Sequence, residues 1–353
     1  MHAVRLVRWL AVLALVLFAV WASTYSNSSA MVSYGRDNGA SWNLRKARRI
    51  DADALRSHSG GQVVWLIGSS ILRESFDEKV INRVLSDLDS PYRVRKFGQT
   101  RGASGLSSGM LDKLPIQSGD MVLHNVAIEN FRRDWLSFTD LPDYRVLMLL
   151  DEAKIWEIEE WSMAQKLELL VARPQDFYRY HDESMEGWYR WLNAPIRGKT
   201  PRPRARSFHT RFKTLKEHRK LKKVRQKGDL SRNVITGDDL DLTQAQFNMQ
   251  GLQWFRERCA SLGVPLVLLD IPQRQEYRAL YLQDDVWERW SSWMDDQPEL
   301  VHFPQPPDED FYDMKHPNSR GRLMLSTHLV EWLAGQLPQS TDDVIEHSQG
   351  RNP

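Results

Sequence analysis

The sequence predicts an α/β fold in which a parallel β-sheet is covered by helices on both faces, giving three layers. Short apolar runs that suit buried strands alternate with longer segments whose apolar residues recur at helical spacing. Strands separated by helices are typical of a parallel sheet, because each connecting helix packs back onto a face of that sheet. A hydrophobic content of 41% with 14 Trp in 353 residues supplies a packed core and excludes a disordered chain.

The first strand, turn and helix are predicted over residues 62–88. The run QVVWLIGS is apolar and ends in small residues, which predicts a buried strand that stops at Ser69 and Ser70. The following segment, SFDEKVINRVLSDL, is predicted to be a helix because its apolar residues lie at helical spacing. These residues are Phe76, Val80, Ile81, Val84, Leu85 and Leu88.

Three further strands are predicted from the runs YRVRKFG, DMVLHNVAI and VPLVLLDIP, with a short helix, LSSGMLDKL, between the first two. The last strand is reached from a helix around TQAQFNMQGLQWFRERCASLG. Thr243 with Gln246 predicts a capping box at the start of that helix, and Gly263 predicts its end. Together these elements assign residues 31–135 and 238–337 to one α/β domain.

Small and polar residues follow the predicted strands at the edge where parallel strands end, which is where open α/β sheets place their ligand sites. The residues at this edge are Ser69, Ser70, Gly98 to Gly105, Glu129, Asn130 and the segment DMKH from Asp313 to His316. A Ser at a strand end is usually a turn or a helix cap. Here, however, a hydroxyl, an imidazole, a carboxylate and oxyanion donors are all present, and these are the parts of an acyl-transfer site.

The four segments at this edge resemble the four sequence blocks of the SGNH (GDSL-like) hydrolase superfamily. The segments are GSS after the first strand, the Gly-rich turn after the second, the Asn after the third, and DMKHPNSRG before the last helix. Within that superfamily the chain is most similar to DltD-like D-alanyl-transfer proteins and to the SGNH proteins that acetylate bacterial exopolysaccharides. The resemblance implies a flavodoxin-like three-layer fold, with Ser70 as nucleophile, His316 as general base and Asp313 orienting His316.

The same resemblance implies an oxyanion hole built from three donors. These are the backbone N–H of Ser70, a backbone N–H from Gly102 or Gly105, and the side chain of Asn130. Because the family's GxND is AIEN in this chain, either Asn130 or the neighbouring Glu129 faces the site.

The N-terminal residues 1–30 are predicted to be a signal anchor or a cleaved signal peptide. Arg5 and Arg8 precede the apolar run WLAVLALVLFAVWA, Trp9 to Ala22, and a polar segment follows. Either alternative exports the rest of the chain. With an uncleaved anchor, the protein is a single-pass protein of the cytoplasmic membrane with its domain on the periplasmic side.

Residues 136–237 are predicted to be a helical and polybasic insertion, and residues 338–353 a flexible tail. From Arg197 to Lys227 there are 14 Lys or Arg and one acid, Glu217, so this segment carries about +13 while the whole chain carries +2. Such a segment is a solvated loop, or it binds anionic lipid or an anionic polymer. The candidate binding residues are Lys220, Lys222, Lys223 and Arg225. Nucleic acid would suit the charge but not an exported protein.

No metal site and no cofactor are predicted. The ten His are scattered, and no pair has ligand spacing with a carboxylate apart from DMKH. The single cysteine, Cys259, lies within a predicted helix and is expected in the core.

These observations predict a membrane-anchored serine acyltransferase or esterase that acts on an envelope polymer or glycan through an acyl-enzyme. Water or a sugar hydroxyl can resolve an acyl-enzyme, so the sequence does not separate the two activities. The resembling transferases work beside a polytopic membrane acyltransferase, which makes such a protein a candidate partner. The alternative is an inactive SGNH-like scaffold that holds a membrane acyltransferase or a polymer.

Overall fold

The sheet of this protein has five strands, all parallel, in the order β2-β1-β3-β4-β5. The computed structural model describes residues 9–18, 40–57, 61–99, 102–133, 149–172, 181–200, 235–275 and 284–336. The strands are β1 Gln62–Gly68, β2 Tyr92–Gly98, β3 Met121–Val126, β4 Leu266–Asp270 and β5 Leu300–His302. The predicted α/β class with a parallel sheet is therefore confirmed.

The named helices lie before, between and after these strands. They are α1 Ala40–Ala47, α2 Ala52–Ser57, α3 Ser70–Ser75, α4 Glu78–Asp87, α5 Ser104–Leu111, α6 Glu152–Glu157, α7 Met163–Ala172, α8 His181–Ile196, α9 Phe247–Leu262, α10 Asp284–Asp295 and α11 Ser319–Gly335. Two short 3₁₀ turns, Ile128–Phe131 and Asp308–Asp310, precede candidate site residues or contain them.

Side chains of β1 alternate between two hydrophobic clusters. Val63, Trp65 and Ile67 pack in a cluster that contains residues of α5 and α9, whereas Val64 and Leu66 pack in a cluster that contains residues of α4 and α11. Because successive strand residues point to opposite faces of a sheet, these helices lie on opposite faces. This arrangement agrees with the predicted three layers.

Helix α9 ends where the sequence predicts but begins with a different cap. Gly263 ends it in the left-handed conformation, with φ of 64°. At its start, the Gln246 side chain accepts hydrogen bonds from the backbone N–H groups of Asn248 and Met249. The predicted capping box at Thr243 is wrong, because the Thr243 hydroxyl donates to Asp241 Oδ1 at 2.7 Å in the turn before the helix. Within α9, Cys259 is buried as expected.

Part of the predicted insertion, residues 136–237, belongs to the core of the α/β domain. Five apolar side chains from it are buried in the same cluster as Trp65 of β1. They are Leu149, Leu150, Ile155, Ile158 and Trp161. The four basic candidates (Lys220, Lys222, Lys223 and Arg225) and the predicted tail, residues 338–353, lie outside the described residues.

Residues 9–18, from the apolar N-terminal run, are helical, and their side chains are exposed. Among the helices of the described ranges, none has both the length and the apolar composition needed to cross a bilayer. The remainder of the predicted N-terminal element falls outside those ranges.

His124 of β3 is fully buried and makes two hydrogen bonds that suit a neutral ring. Its Nδ1 lies 2.7 Å from the Ile67 carbonyl oxygen, its Nε2 lies 3.1 Å from Ser104 Oγ, and the ring stacks on Phe255. Burial lowers the pKa of His124 from 6.5 to about 4. The folded protein therefore excludes a proton that the unfolded chain binds below pH about 6.5.

We expect this buried imidazole to make the protein sensitive to mild acid. Between pH 6.5 and 4 the unfolded chain binds more protons than the folded one at His124, so the free energy of unfolding should fall as pH falls through this window. The contribution of His124 should reach about 3 kcal/mol. His124→Gln should show a shallower dependence on pH than the parent when both are unfolded with urea between pH 4 and 7. Parallel curves would contradict the prediction.

Candidate active site

The turn after β1 separates the roles of two adjacent serines. Ser69 is the cap of α3: its Oγ accepts a hydrogen bond from the Ile71 backbone N–H at 3.1 Å. The Asn125 side chain of β3 holds Ser69 from the other side, accepting from its backbone N–H at 2.8 Å and donating to its Oγ at 3.0 Å. A Cβ on Gly68 would lie 2.2 Å from Asn125 Oδ1, so only glycine leaves room for this contact.

Ser70, the first residue of α3, is hydrogen-bonded to His316. The Nε2 atom of His316 lies 3.0 Å from Ser70 Oγ, although the two residues are 246 positions apart in the sequence. The Nδ1 atom of the same ring lies 2.8 Å from Asp313 Oδ2. With the Nδ1–H group donating a hydrogen bond to the carboxylate, the unprotonated Nε2 can accept the proton of the serine hydroxyl. The structure thus brings together the three residues that the sequence proposes as a triad.

Asp313 is held as a carboxylate. Burial raises the pKa of Asp313. The hydrogen bond and charge of His316, together with the backbone N–H groups of Lys315 and His316, outweigh this effect and hold the pKa below its ordinary value. Both backbone N–H groups donate to Asp313 Oδ1 at 2.8 Å. The aspartate is therefore fixed by its own turn in a position to accept the hydrogen bond from the His316 Nδ1–H group.

A tyrosine ring covers one face of His316. Tyr312 stacks on the imidazole with an interplanar angle of 11° and a centroid distance of 5.5 Å, and its backbone N–H donates to the His316 carbonyl oxygen. Burial, with the nearby Glu74 and Asp313, raises the pKa of Tyr312 above its ordinary value. Tyr312 therefore stays neutral and restricts the tilt of the imidazole.

The segment that carries Asp313 and His316 closes on itself before α11 starts. Phe311 and Pro317 form an antiparallel bridge. Asn318 then caps α11, accepting from the backbone N–H groups of Arg320 and Gly321 and donating to the Glu309 carbonyl oxygen at 2.7 Å. The Pro-Asn-Ser sequence after His316 thus ends the loop and begins the helix.

Gly105 does not supply a free backbone donor to the proposed oxyanion hole. Its N–H donates to Asn248 Oδ1 at 3.0 Å, and a Cβ on Gly105 would lie 2.3 Å from the ring of Phe247. The prediction for this residue is corrected accordingly: Gly105 lets α5 pack closely against α9, where a Cβ on Gly251 would approach its backbone to 2.2 Å.

Gly102 lies directly beside the end of β1. A Cβ at this position would come within 2.9 Å of the Gly68 carbonyl oxygen, so the close approach requires glycine. Its N–H donates to the Gln99 carbonyl oxygen at 3.2 Å, the long end of the ordinary range. Of the two glycine candidates, Gly102 is the one placed against the turn that carries Ser69 and Ser70.

Asn130 lies in the 3₁₀ turn after β3, and α9 fixes that turn. The Asn130 backbone carbonyl accepts hydrogen bonds from the side-chain amides of Gln246 and Asn248. Within the described ranges, no residue hydrogen-bonds the Asn130 side-chain amide, so it remains available as a donor. The neighbouring Glu129 carboxylate is engaged by Lys315 at 2.8 Å and by Gln273 at 2.7 Å.

A buried polar cluster that sequence reasoning missed holds the carboxyl end of α3. Arg322 of α11 donates to the Glu74 carbonyl oxygen at 2.6 Å and forms an ion pair with the Glu74 carboxylate at 3.1 Å. Lys96 of β2 donates to the carbonyl oxygens of Arg73 and Phe76 at the end of the same helix. Burial, and then the charge of Arg322, lower the pKa of Lys96 to about 8. The signal in the sequence is a lysine inside an otherwise strand-like run, YRVRKFG.

Within the ranges that the structure describes, no three His, Cys, Asp or Glu side chains come together as a metal site. The chemistry that the arrangement supports is general-base activation of the Ser70 hydroxyl by His316. No protein-family model matches the chain, and no curated protein matches it. The geometry of Ser70, His316 and Asp313 is therefore the evidence from which a function can be proposed.

Proposed function

We propose that the protein is a serine acyltransferase or esterase of the SGNH type that forms an acyl-enzyme at Ser70. The observation that carries the proposal is the continuous hydrogen-bonded chain from Ser70 Oγ through the His316 ring to the Asp313 carboxylate. The order of the four segments at the sheet edge, which resembles the SGNH blocks, supports it. Burial of Ser69 as a helix cap also supports it, because Ser70 is left as the reactive hydroxyl.

In the first half-reaction, His316 Nε2 takes the hydroxyl proton as Ser70 Oγ attacks the acyl carbonyl carbon. Asp313 stabilises the imidazolium that forms. The oxyanion is stabilised by the backbone N–H groups of Ser70 and Gly102 and by the side-chain amide of Asn130. His316 then donates its proton to the leaving oxygen, which releases the alcohol and leaves the acyl group on Ser70. In the second half-reaction His316 removes a proton from water or from an acceptor hydroxyl as its oxygen attacks the acyl carbonyl carbon. His316 then returns that proton to Ser70 Oγ as the acyl–Oγ bond breaks, which releases the acid or the new ester and regenerates Ser70.

The proposed substrate is an envelope polymer or glycan outside the cytoplasmic membrane, and a polytopic membrane acyltransferase is the proposed partner. The basis is the N-terminal apolar segment together with the SGNH resemblance. The basic residues from Lys220 to Arg225 are proposed to meet an anionic lipid or polymer, and they lie outside the described residues.

The proposed nucleophile can be tested by labelling with a fluorophosphonate. We expect the folded parent protein to gain one adduct, located by peptide mass spectrometry at Ser70, because His316 activates that hydroxyl. Ser292→Ala, on α10, is a matched control that should label as the parent does. Absence of an adduct on the folded parent, or an adduct elsewhere with Ser70 unmodified, would argue for the inactive scaffold.

The proposed anchoring has a separate test. Protein extracted from membranes should retain the residues from Met1 to Ala22, because two arginines precede an apolar run that includes the exposed helical residues 9–18. N-terminal sequencing of the mature protein checks this. A soluble product that begins near Ser23 or Met31 would instead show a cleaved signal peptide.

A further inference from the structure

The ion pair between Glu129 and Lys315 joins the two segments that carry the candidate site. Glu129 directly precedes Asn130 in the turn after β3, while Lys315 lies between Asp313 and His316. Lys315 Nζ lies 2.8 Å from Glu129 Oε1, and the two side chains are 33% and 15% exposed. The pair therefore links the turn that carries the proposed oxyanion donor, Asn130, to the loop that carries the proposed base, His316.

Contacts inside the His316 loop do not fix the position of that loop relative to the sheet. The Asp313 carboxylate, the Tyr312 N–H and the bridge to Pro317 all bond within residues 311–317. Such contacts shape the loop and would persist if it moved as a unit. Contacts that reach the sheet edge, together with burial of the Phe311 side chain, therefore set its position.

Two of these outward contacts arise around β4 and β3. The Arg274 backbone N–H donates to the Met314 carbonyl oxygen at 3.3 Å, a long hydrogen bond. The contacts of the Glu129 carboxylate are shorter and involve a charged group. Lys315 Nζ contacts one carboxylate oxygen, and the Gln273 side-chain amide donates to the other at 2.7 Å. Gln273 in turn accepts at its backbone carbonyl from the Gln305 side chain. Glu129 is thus one acceptor that links the loop to the sheet edge.

We propose that Glu129 and Lys315 form a positioning pair that holds the His316 loop at the separation from Ser70 and Asn130 that acyl transfer needs. This inference rests on the proposed function. The physical reason is that proton transfer and nucleophilic attack require near-contact geometry, and a misplacement of about 1 Å can cost on the order of 10²-fold in rate. Neither side chain is assigned a role in the chemistry itself.

The energetics of the pair favour an ordered contact over an incidental one. Burial raises the pKa of Glu129, but the charge and hydrogen bond of Lys315, with the Gln273 amide, lower it below its ordinary value. The carboxylate is therefore charged in a poorly solvated place and depends on Lys315 for compensation. Removing Lys315 leaves that charge unpaired, which we expect to move the loop or the turn.

The test measures the second-order rate of fluorophosphonate labelling at Ser70 in the full-length protein. Lys315→Met should lower this rate about 10-fold to 100-fold. Glu129→Gln, which keeps the shape of the side chain, should lower it comparably. Lys315→Arg should recover most of the rate because it restores a charged partner. The labelling rate of the double variant should be no lower than that of the slower single variant, because both changes remove the same interaction.

A matched control is the ion pair between Lys154 and Asp112, which at 2.7 Å is similar in length and is also partly buried, but lies away from the site. Lys154→Met should label at the parent rate. Hydrogen exchange followed by mass spectrometry gives a readout that does not depend on catalysis. Lys315→Met should accelerate exchange in peptides that cover residues 311–318, and Lys154→Met should not.

The outcomes separate the two proposals. A parent protein that is not labelled at all overturns the proposed function, whereas the exchange data still test the positioning pair. If Lys315→Met labels at the parent rate, or if losses of the single variants multiply in the double variant, the pair does not position the site. Failure of Lys315→Arg to recover any rate would likewise overturn the proposal, provided that the variant remains folded.

Discussion

Ser70→Ala should abolish both fluorophosphonate labelling and turnover of an aryl ester, while the protein remains folded. The substitution removes the hydroxyl oxygen that lies 3.0 Å from His316 Nε2. Because Ser69 separately caps α3, loss of the Ser70 hydroxyl leaves the helix start intact. Circular dichroism and thermal unfolding check the fold, and p-nitrophenyl acetate hydrolysis measures the turnover.

The other two triad variants should differ from Ser70→Ala in kind. His316→Ala leaves the hydroxyl without a base and should cut turnover by several powers of ten, on the order of 10⁴-fold, as triad residues act as a unit. Asp313→Asn should have a comparable or milder effect, because it disturbs the tautomer and orientation of the ring and leaves the proton acceptor in place. Asp112→Asn, at a partly exposed ion pair, serves as a control and should keep the parent rate.

One result would contradict the whole assignment. If folded Ser70→Ala retains the parent's activity on an acyl ester or on its native acceptor, the GSS segment is only a turn. In that case the DMKHPNSRG segment would serve only to close a loop and cap α11.

Asp120→Ala should strongly destabilise the protein, although Asp120 has no proposed role in the chemistry. Asp120 is 1% exposed and accepts four hydrogen bonds at the amino-terminal end of the sheet. Its donors are the Val63 N–H, the Trp65 indole N–H, the Gln117 N–H and the Arg56 guanidinium. Removal of the carboxylate takes the acceptor from three N–H groups and the counter-charge from Arg56, and should lower the free energy of unfolding by about 3–5 kcal/mol.

Urea unfolding at neutral pH measures this loss. Asp112→Ala is the matched control, because Asp112 pairs with Lys154 and Arg258 near the surface and its removal should cost about 1 kcal/mol or less. Equal losses for Asp120→Ala and Asp112→Ala would show that the buried acceptor has no special importance. Labelling at Ser70 should persist in any Asp120→Ala protein that remains folded, because the strand ends opposite to Asp120 carry the site.

Four of the five strands were predictable because a buried strand is a local apolar run bounded by turn residues, and the site edge follows from strand direction. The fifth strand, Leu300–His302, was not predicted, because three partly exposed residues give no such run. Residues that connect distant segments were not predictable. Asp120 and Val63 are 57 positions apart, and Asn125 and Ser69 are 56 apart. The local sequence allows either Glu129 or Asn130 to face the site, and only the fold shows that the Glu129 carboxylate pairs with Lys315. Each of these contacts depends on which strands become neighbours and in which register.

Dependence on tertiary contacts also explains why the predictions for Gly105 and for the start of the insertion differ from the structure. Gly105 is one of three glycines in the segment GQTRGASG, and local sequence does not distinguish a donor to the site from a residue of close helix packing. The approach of Gly251 on α9 makes that distinction. Similarly, the boundary of the predicted insertion at residue 136 follows a change in composition, whereas Leu149 and Ile155 join the main core through tertiary packing.

The sequence by itself determined the alternation of strands and helices, the parallel sheet and the set of polar residues at its carboxyl edge. Periodicity and turn residues encode these features locally, so they do not depend on distant contacts. Only the tertiary structure decided the orientation of individual side chains at that edge. The adjacent serines contact different partners: Ser69 contacts Asn125, and Ser70 contacts His316. The reason is that Ser69 is the N-cap of α3, whereas Ser70 is the first residue of its first turn. Side-chain direction depends on helix phase and on neighbouring strands, and these exist only once the chain has folded.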